Sequence, residues 1–236
     1  GVDAGSGIGD DGTFFRFNVE TLVTDTTVNS GDQFLRESDG LSSLTLNAAA
    51  ANTASAFLQA GGDVTQTSGD AIDLDGLALI STASGVDFNL FDDDGATDPA
   101  NDVETLAADI TGSLVFVNQQ GTGGRLTIGQ VASGSQTVNG VVVDGTPGSA
   151  TITADDITVA NADGGAFGVL TDLDAIGIAL ATHAAGEGEI QVDDDAEVDA
   201  NTGALSFTAD AMGFNADAGS IRGTGAALVQ SEDIGD

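Results

Sequence analysis

Residues 149–160 read SATITADDITVA, two short runs in which small polar and aliphatic residues alternate. Alternation with period two puts one set of side chains on a buried face and leaves Thr, Ser, Asn and Asp outside, so each run reads as a strand of four to six residues. The same unit recurs as SLTLNA (43–48), DAIDLDGLALIS (70–81), SLVFV (113–117), GEIQVD (188–193) and GALSFTAD (203–210). Turn-forming clusters separate these strands: AGGD (60–63), DDDGATDPAND (92–102), QGTGG (120–124) and NADGG (161–165). Short strands at regular spacing suit sandwiches and barrels as well as solenoids. Two features favour the solenoid. Asn-Gly and Asp-Gly hairpin pairs are few and do not fall between every pair of strands, and each segment carries the small inward residues that stacked coils need. One segment competes as a helix, GVLTDLDAIGIALATHAAG (168–186), with Leu170, Leu173, Ile176 and Leu180 near helical spacing. Gly177 interrupts it and IGIALAT also reads as a strand, which is the reading preferred here.

Internal similarity supports stacking. Val-Glu-Thr-Leu occurs at residues 19–22 and 103–106, each time followed by a polar gap and apolar strands, QFLRESDGLSSLTLNA (33–48) and SLVFVNQQGTGGRLTIGQV (113–131). The separation, 103 − 19 = 84 residues, is too long for one coil and suits a few of them, so each copy is read as a landmark on a stack.

Composition narrows the function classes. The 236 residues have no Cys, Trp or Tyr, one Met, 11 Phe, 34 Gly and 2 Pro, so Ala, Val, Ile, Leu and Thr do most of the packing. The absence of Cys removes disulfide scaffolds, thiolate nucleophiles and Cys-ligated zinc together. Four basic residues, all Arg (Arg16, Arg36, Arg125, Arg222), stand against 38 acidic ones, for a net charge of −34. That field opposes nucleic acid and anionic membranes, and no apolar run reaches the ~18 residues of a membrane span. At such charge density the compact state draws on bound cations, high salt or an extended body. The opening GVDAGSGIGDD has neither a basic start nor an apolar run, and the tail DIGD (233–236) echoes GIGD (7–10). The opening points to a mature fragment or one unit of something longer, and the matching ends to one period of a tandem array or to copies that stack head to tail.

The stretches GIGDDGTFFRFNVETL (7–22), QFLRESDGLSSLTLNA (33–48), NDVETLAADITGSLVFVNQQGTGGRLTIG (101–129) and GALSFTADAMGFNADAGSIRG (203–223) resemble the β-helix repeats of filamentous-haemagglutinin-like exoproteins and giant bacterial surface proteins. The resemblance implies a right-handed parallel β-helix and a secreted, elongated protein with an attachment or structural role. No secretion domain or anchor of that family is recognisable in the sequence.

Two acidic stretches are candidate cation sites. FDDDGATDPAND (91–102) offers Asp92, Asp93, Asp94, Asp98 and Asp102; VDDDAEVDA (192–200) offers Asp193, Asp194, Asp195, Glu197 and Asp199. Calcium takes six to eight oxygen ligands and clustered loop carboxylates supply them, so calcium is the implied cofactor, although neither stretch matches an EF-hand loop or the nonapeptide repeat. The competing reading is a solvated acidic turn. His183 is the single histidine and no G-x-S-x-G elbow is present, so no catalytic residue is assigned. A polysaccharide-cleaving enzyme on this scaffold needs basic residues or aromatic sugar platforms, which four Arg and no Trp or Tyr do not supply. The arginines are expected to pin one coil to the next, as Arg36 would with the adjacent Glu37 and Asp39. Phe14, Phe15, Phe17, Phe57, Phe88, Phe91, Phe116 and Phe207 are expected as core ladders or coil-end plugs.

The expected molecule is therefore all-β: one elongated right-handed parallel β-helix, a β-solenoid of about ten coils over residues 1–236. Its expected role is an extracellular or cell-surface structural module that self-associates end to end into a homopolymer, with no enzymatic activity, nucleic-acid partner or membrane insertion. The alternative is an adhesin passenger domain that binds a host or neighbouring cell, for which a long irregular loop or apolar patch interrupting the coils, at 92–102 or 130–148, would serve as the contact. A third reading is an ordinary acidic domain adapted to high salt.

Overall fold

The computed structural model describes residues 2–3, 7–28, 31–48, 54–67, 69–91, 101–118, 125–144, 148–161, 173–175, 177–182, 188–215 and 220–231. These residues form strands and turns with no helix, and every strand pair but one is parallel. The segment 168–186, where a helix competed, contains the strands Leu173–Asp174 and Ile178–Thr182.

The strands build three ladders. The first runs Val2–Asp3, Thr21–Thr26, Ser43–Ala48, the start of Ile72–Ser81, the start of Asp102–Ile110, Arg125–Ile128, Asp156–Val159, Glu189–Val192 and Ala211–Phe214. The second runs Phe15–Phe17, Gln33–Glu37, Ser55–Ala60, the later halves of Ile72–Ser81 and Asp102–Ile110, Val141–Val143, Leu173–Asp174, Val198–Asp199 and Ile221–Arg222. The third runs Val64–Thr65, Phe88–Leu90, Leu114–Val117, Ala150–Ala154, Ile178–Thr182, Leu205–Thr208 and Ala227–Gln230. Ile72–Ser81 and Asp102–Ile110 bend from the first ladder into the second, which joins those two into one 16-stranded sheet beside a 7-stranded one. The chain meets the ladders in the order first, second, third and then starts the next rung of the first. Among the described residues the first ladder has nine rungs, beside the ten or so coils expected.

Alternation does the packing. In Ser43–Ala48, Leu44, Leu46 and Ala48 are buried while Ser43, Thr45 and Asn47 face outward. Parallel register then stacks like on like. Phe88, Leu114, Ala150, Ile178 and Leu205 form one inward row of the third ladder, and Leu90, Phe116, Ile152, Leu180 and Phe207 form the next. Leu35, Leu58, Leu79, Ala108 and Val141 do the same in the second. All are buried, and burial of each Val, Leu, Ile or Phe side chain among them stabilises by roughly 1.5–3 kcal/mol.

Corners carry the polar cost of turning the chain. Gln66 and Asn101, both buried, exchange two amide hydrogen bonds of 2.9 Å, and Asn101 Oδ1 also accepts the Ile72 N–H at 3.0 Å. Asn118 brackets Val103, accepting its N–H at 2.9 Å and donating to its carbonyl at 3.0 Å. These amides pair backbone groups that no ladder reaches, as buried polar groups require. At the turn into the third ladder the backbones themselves nearly touch. A Cβ on Gly62 would sit 1.3 Å from the Asp39 carbonyl oxygen, a position only glycine can fill.

The two Val-Glu-Thr-Leu copies are not equivalent rungs. Val103 and Leu106 both lie fully buried inside one strand, whereas Val19 precedes its strand and is exposed. Nor is 84 residues a period. Register partners lie between 20 residues apart (Phe15 to Leu35, 35 − 15) and 36 apart (Leu114 to Ala150, 150 − 114).

Of residues 130–148, the described ones include a hairpin at 130–139 and the strand Val141–Val143. Gln130–Ser133 and Gln136–Asn139 form the one antiparallel pair, turned at Gly134 with φ of +58°, and this hairpin lies on the outer side of the second ladder. There Phe34, Phe57, Ala78 and Ala107 make an outward apolar row, and Val131 and Val138 close over it as a second core, apart from the main one. Phe34 and Phe57 stack in register, centroids 5.2 Å apart and planes 8° from parallel. Two acids latch the hairpin. Asp32 accepts from the Ser133 hydroxyl; Asp11 accepts the Ser135 N–H at 2.6 Å through its carboxylate and the Gln136 amide at 2.8 Å through its carbonyl.

Candidate functional site

Outward residues of the second ladder form an unbroken row in register: Arg16, Arg36, Gln59, Ile80, Asp109, Val142, Asp174, Asp199 and Arg222. Three of the four cations of the chain thus stand in one line. At its far end Arg222 donates to Glu197 at 2.8 Å and to Asp199 at 2.9 Å, one rung away, and its pKa is raised by the Asp199 hydrogen bond and both carboxylate charges. Arg125, on the first ladder, reaches Glu189 at 3.3 Å two rungs on. These pairs bridge rungs as expected.

The other two arginines do not. Arg16 and Arg36 are register neighbours, and rungs of a sheet lie about 4.8 Å apart, a placement that sets like charges side by side. Among the described residues neither has a carboxylate at ion-pair distance. The expected pairing of Arg36 with Glu37 and Asp39 is corrected. Glu37 turns inward at the corner and accepts backbone N–H groups of Val19, Ser38 and Asp39, at 3.3, 2.8 and 3.3 Å. Asp39 accepts from the Asn18 amide at 3.2 Å and from the Gly40 N–H at 3.1 Å. Burial, then the proximity of Asp39, push the Glu37 carboxyl up from its ordinary value. A groove of about 280 Å³ opens here, lined by Arg16, Phe17, Arg36, Glu37, Ser38 and Thr82.

Carboxylates crowd elsewhere. On the first ladder Asp25, Asn47, Asp73 and Asp102 are register neighbours, and lost hydration with the Asp102 charge raises Asp73. Beside the hairpin latch, Asp75 is raised by burial, by a hydrogen bond with Glu104 and by the charges of Glu104 and Asp32. Burial also raises Asp174, and Asp199 and Asp144 add to the shift. Asp25 moves the other way, held down by two hydrogen bonds from Thr27.

Of the first acidic stretch, Asp92, Asp93, Asp94 and Asp98 lie outside the described residues, as do His183 and the tail 233–236. Asp102 opens its strand with an exposed side chain. In the second stretch Asp194 and Asp195 are exposed on a turn, Asp195 with φ of +63°, and Asp193 accepts the Gln191 amide at 2.5 Å. Glu197 and Asp199 face Arg222. Among the described residues no three acidic or His side chains converge as a metal cluster. Phe88, Phe116 and Phe207 sit in the inward rows as expected, whereas Phe57 lies under the hairpin and Phe15 is exposed. Sequence reasoning missed the Arg16–Arg36 pairing because register, not spacing along the chain, creates it. The signal available was F-R-F at 15–17 against F-L-R-E at 34–37.

No protein-family model matches this chain, and no curated protein or solved structure matches it either.

Proposed function

We propose that the chain is a right-handed parallel β-helix and serves as an extracellular structural module that assembles end to end, as a filament subunit or as one unit of a giant surface protein. The ordered passage through three parallel ladders supports the β-helix, and the near-universal right hand of parallel crossovers supplies its sense. One observation carries the assembly: among the described residues nothing covers the last rung. Val229 continues the inward row of Phe207 and is 59% exposed; Phe214 continues the row of Val192 and is 43% exposed. An inward row that ends in water invites another rung, and the unpaired edges of Ala211–Phe214 and Ala227–Gln230 offer it hydrogen bonds. The covering rung comes from a second copy or from the next unit of a longer chain. The acidic outside holds such rods apart until cations, calcium foremost, bridge them laterally.

Negative-stain electron microscopy of concentrated protein, with calcium and with chelator, tests this reading. It predicts filaments with an axial repeat near one chain length that bundle in calcium. Isolated short rods at all concentrations in both conditions overturn it. Of the segments offered to an adhesin, 92–100 lies outside the described residues and the hairpin at 130–139 is packed down on the ladder.

A further inference from the structure

Only four cations stand against 38 acids, and the fold brings two of them to adjacent rungs with no carboxylate of their own among the described residues. The two acids nearest in sequence, Glu37 and Asp39, spend their oxygens on the backbone and on Asn18. Each guanidinium presents up to five N–H donors in a rigid fork that fits a carboxylate. The half-buried Phe17 gives the groove an apolar wall, and Ser38 and Thr82, whose hydroxyls donate to the Phe17 and Ala60 carbonyls at 3.2 and 3.1 Å, line it with oxygens that can still accept.

We infer that Arg16 and Arg36 together clamp the carboxylate of a small monoanion whose polar body rests against Phe17, Ser38 and Thr82: a carboxylic acid of the size of a single acidic sugar residue. Size and field both set that class. A groove of about 280 Å³ lies at the small end of ligand pockets. A polyanion reaching beyond the ~8 Å screening length of physiological salt meets a chain of net charge −34, and farther along this same row Asp109, Asp174 and Asp199. A compact monoanion gains the clamp and avoids most of that repulsion. Phe15–Phe17 is the terminal strand of the second ladder, so binding is measured at protein concentrations too low for end-to-end assembly.

Titration of the full chain with glucuronate, followed by calorimetry and by NMR of the Phe17 ring, tests the clamp. Glucose serves as the body without the charge, acetate as the charge without the body, and a glucuronate oligomer as the polyanion. Saturable binding of glucuronate in the millimolar range is expected, tighter than acetate or the oligomer, with none for glucose. Arg16→Gln and Arg36→Gln each weaken it about tenfold, the loss of one charge-assisted contact, and the double variant abolishes it. Arg125→Gln removes the same charge far from the groove and leaves the affinity within twofold. Absence of saturable glucuronate binding overturns the inference. So does equal weakening by Arg125→Gln, which would reduce the effect to net charge, or tighter binding of the oligomer, which would make the pair a polyanion contact. Circular dichroism confirms that each variant keeps its β content.

Discussion

Phe57 sits on the outward face of its strand, where an aromatic ring is normally wet, yet it is fully buried because the hairpin at 130–139 covers it. Truncation to Ala therefore reads out whether the hairpin is seated. With the lid in place, Phe57→Ala removes a fully buried ring stacked on Phe34 at 5.2 Å and leaves a cavity, for a loss of about 3–5 kcal/mol. Phe116→Ala, in the inward row between Leu90 and Ile152, sets the scale for true core and falls in the same range. Were the lid open, Phe57 would be a surface ring and its loss would cost within about 0.5 kcal/mol. Urea unfolding followed by far-ultraviolet circular dichroism measures both, compared by midpoint at constant slope. Val138→Ala supplies the coupling: paired with Phe57→Ala, the two losses fall short of additivity by at least about 0.5 kcal/mol, since each empties the same small core. A Phe57→Ala midpoint indistinguishable from the unmodified chain, beside a strongly shifted Phe116→Ala, refutes the covered outer core.

Three further outcomes are expected. Gly62→Ala forces a Cβ into the Asp39 carbonyl oxygen, so the corner must open; the variant should lose several degrees in melting temperature where Gly213→Ala, whose Cβ would meet its nearest neighbour at an ordinary 3.6 Å, loses much less. The raised carboxyls of Glu37, Asp73, Asp75 and Asp174 bind protons more readily in the folded state than in the unfolded chain. Their stabilisation is fully present below the ordinary carboxylate values near 4 and is lost as pH rises through the raised ones, while Asp25, held down by Thr27, acts with the opposite sign. Melting at low ionic strength should therefore be lower at pH 7 than at pH 4, with added salt recovering part of the difference. Arg222→Gln takes the cation from nearly buried Glu197 and from Asp199 and should cost about 1–3 kcal/mol by urea unfolding, against under 1 kcal/mol for the exposed Arg125→Gln.

Strand character was legible in the sequence because alternation is local: SLTLNA and SATITADDITVA declare which residues face inward without reference to any partner. Parallel stacking was legible more weakly, from the scarcity of hairpin turns. The rung step was not, since loops absorb 20 to 36 residues between partners and leave no fixed period, and the Val-Glu-Thr-Leu match misled for that reason. A better marker was present. Glycine stands one or two residues before Leu41, Val64, Leu114, Ile178, Leu205 and Ala227, where the chain enters the third ladder. The outer core was hidden because Phe34 and Phe57 looked like ordinary strand residues until their register partners and the hairpin, some seventy residues on, were known. The arginine pair was hidden likewise, for two residues twenty positions apart become neighbours only through register.

The hairpin also shows how this architecture accommodates added sequence. Between Ile128 and Val141 the chain leaves the ladders, makes two antiparallel strands of its own and returns, and the rungs on either side keep their partners, Thr105 with Thr127 and Ala108 with Val141. Lengthening a connection costs only about 0.6 kcal/mol per doubling. The corner between the first and second ladders is thus a place where new segments can be grafted without renegotiating the stack, so surface chemistry there and backbone architecture are free to diverge independently.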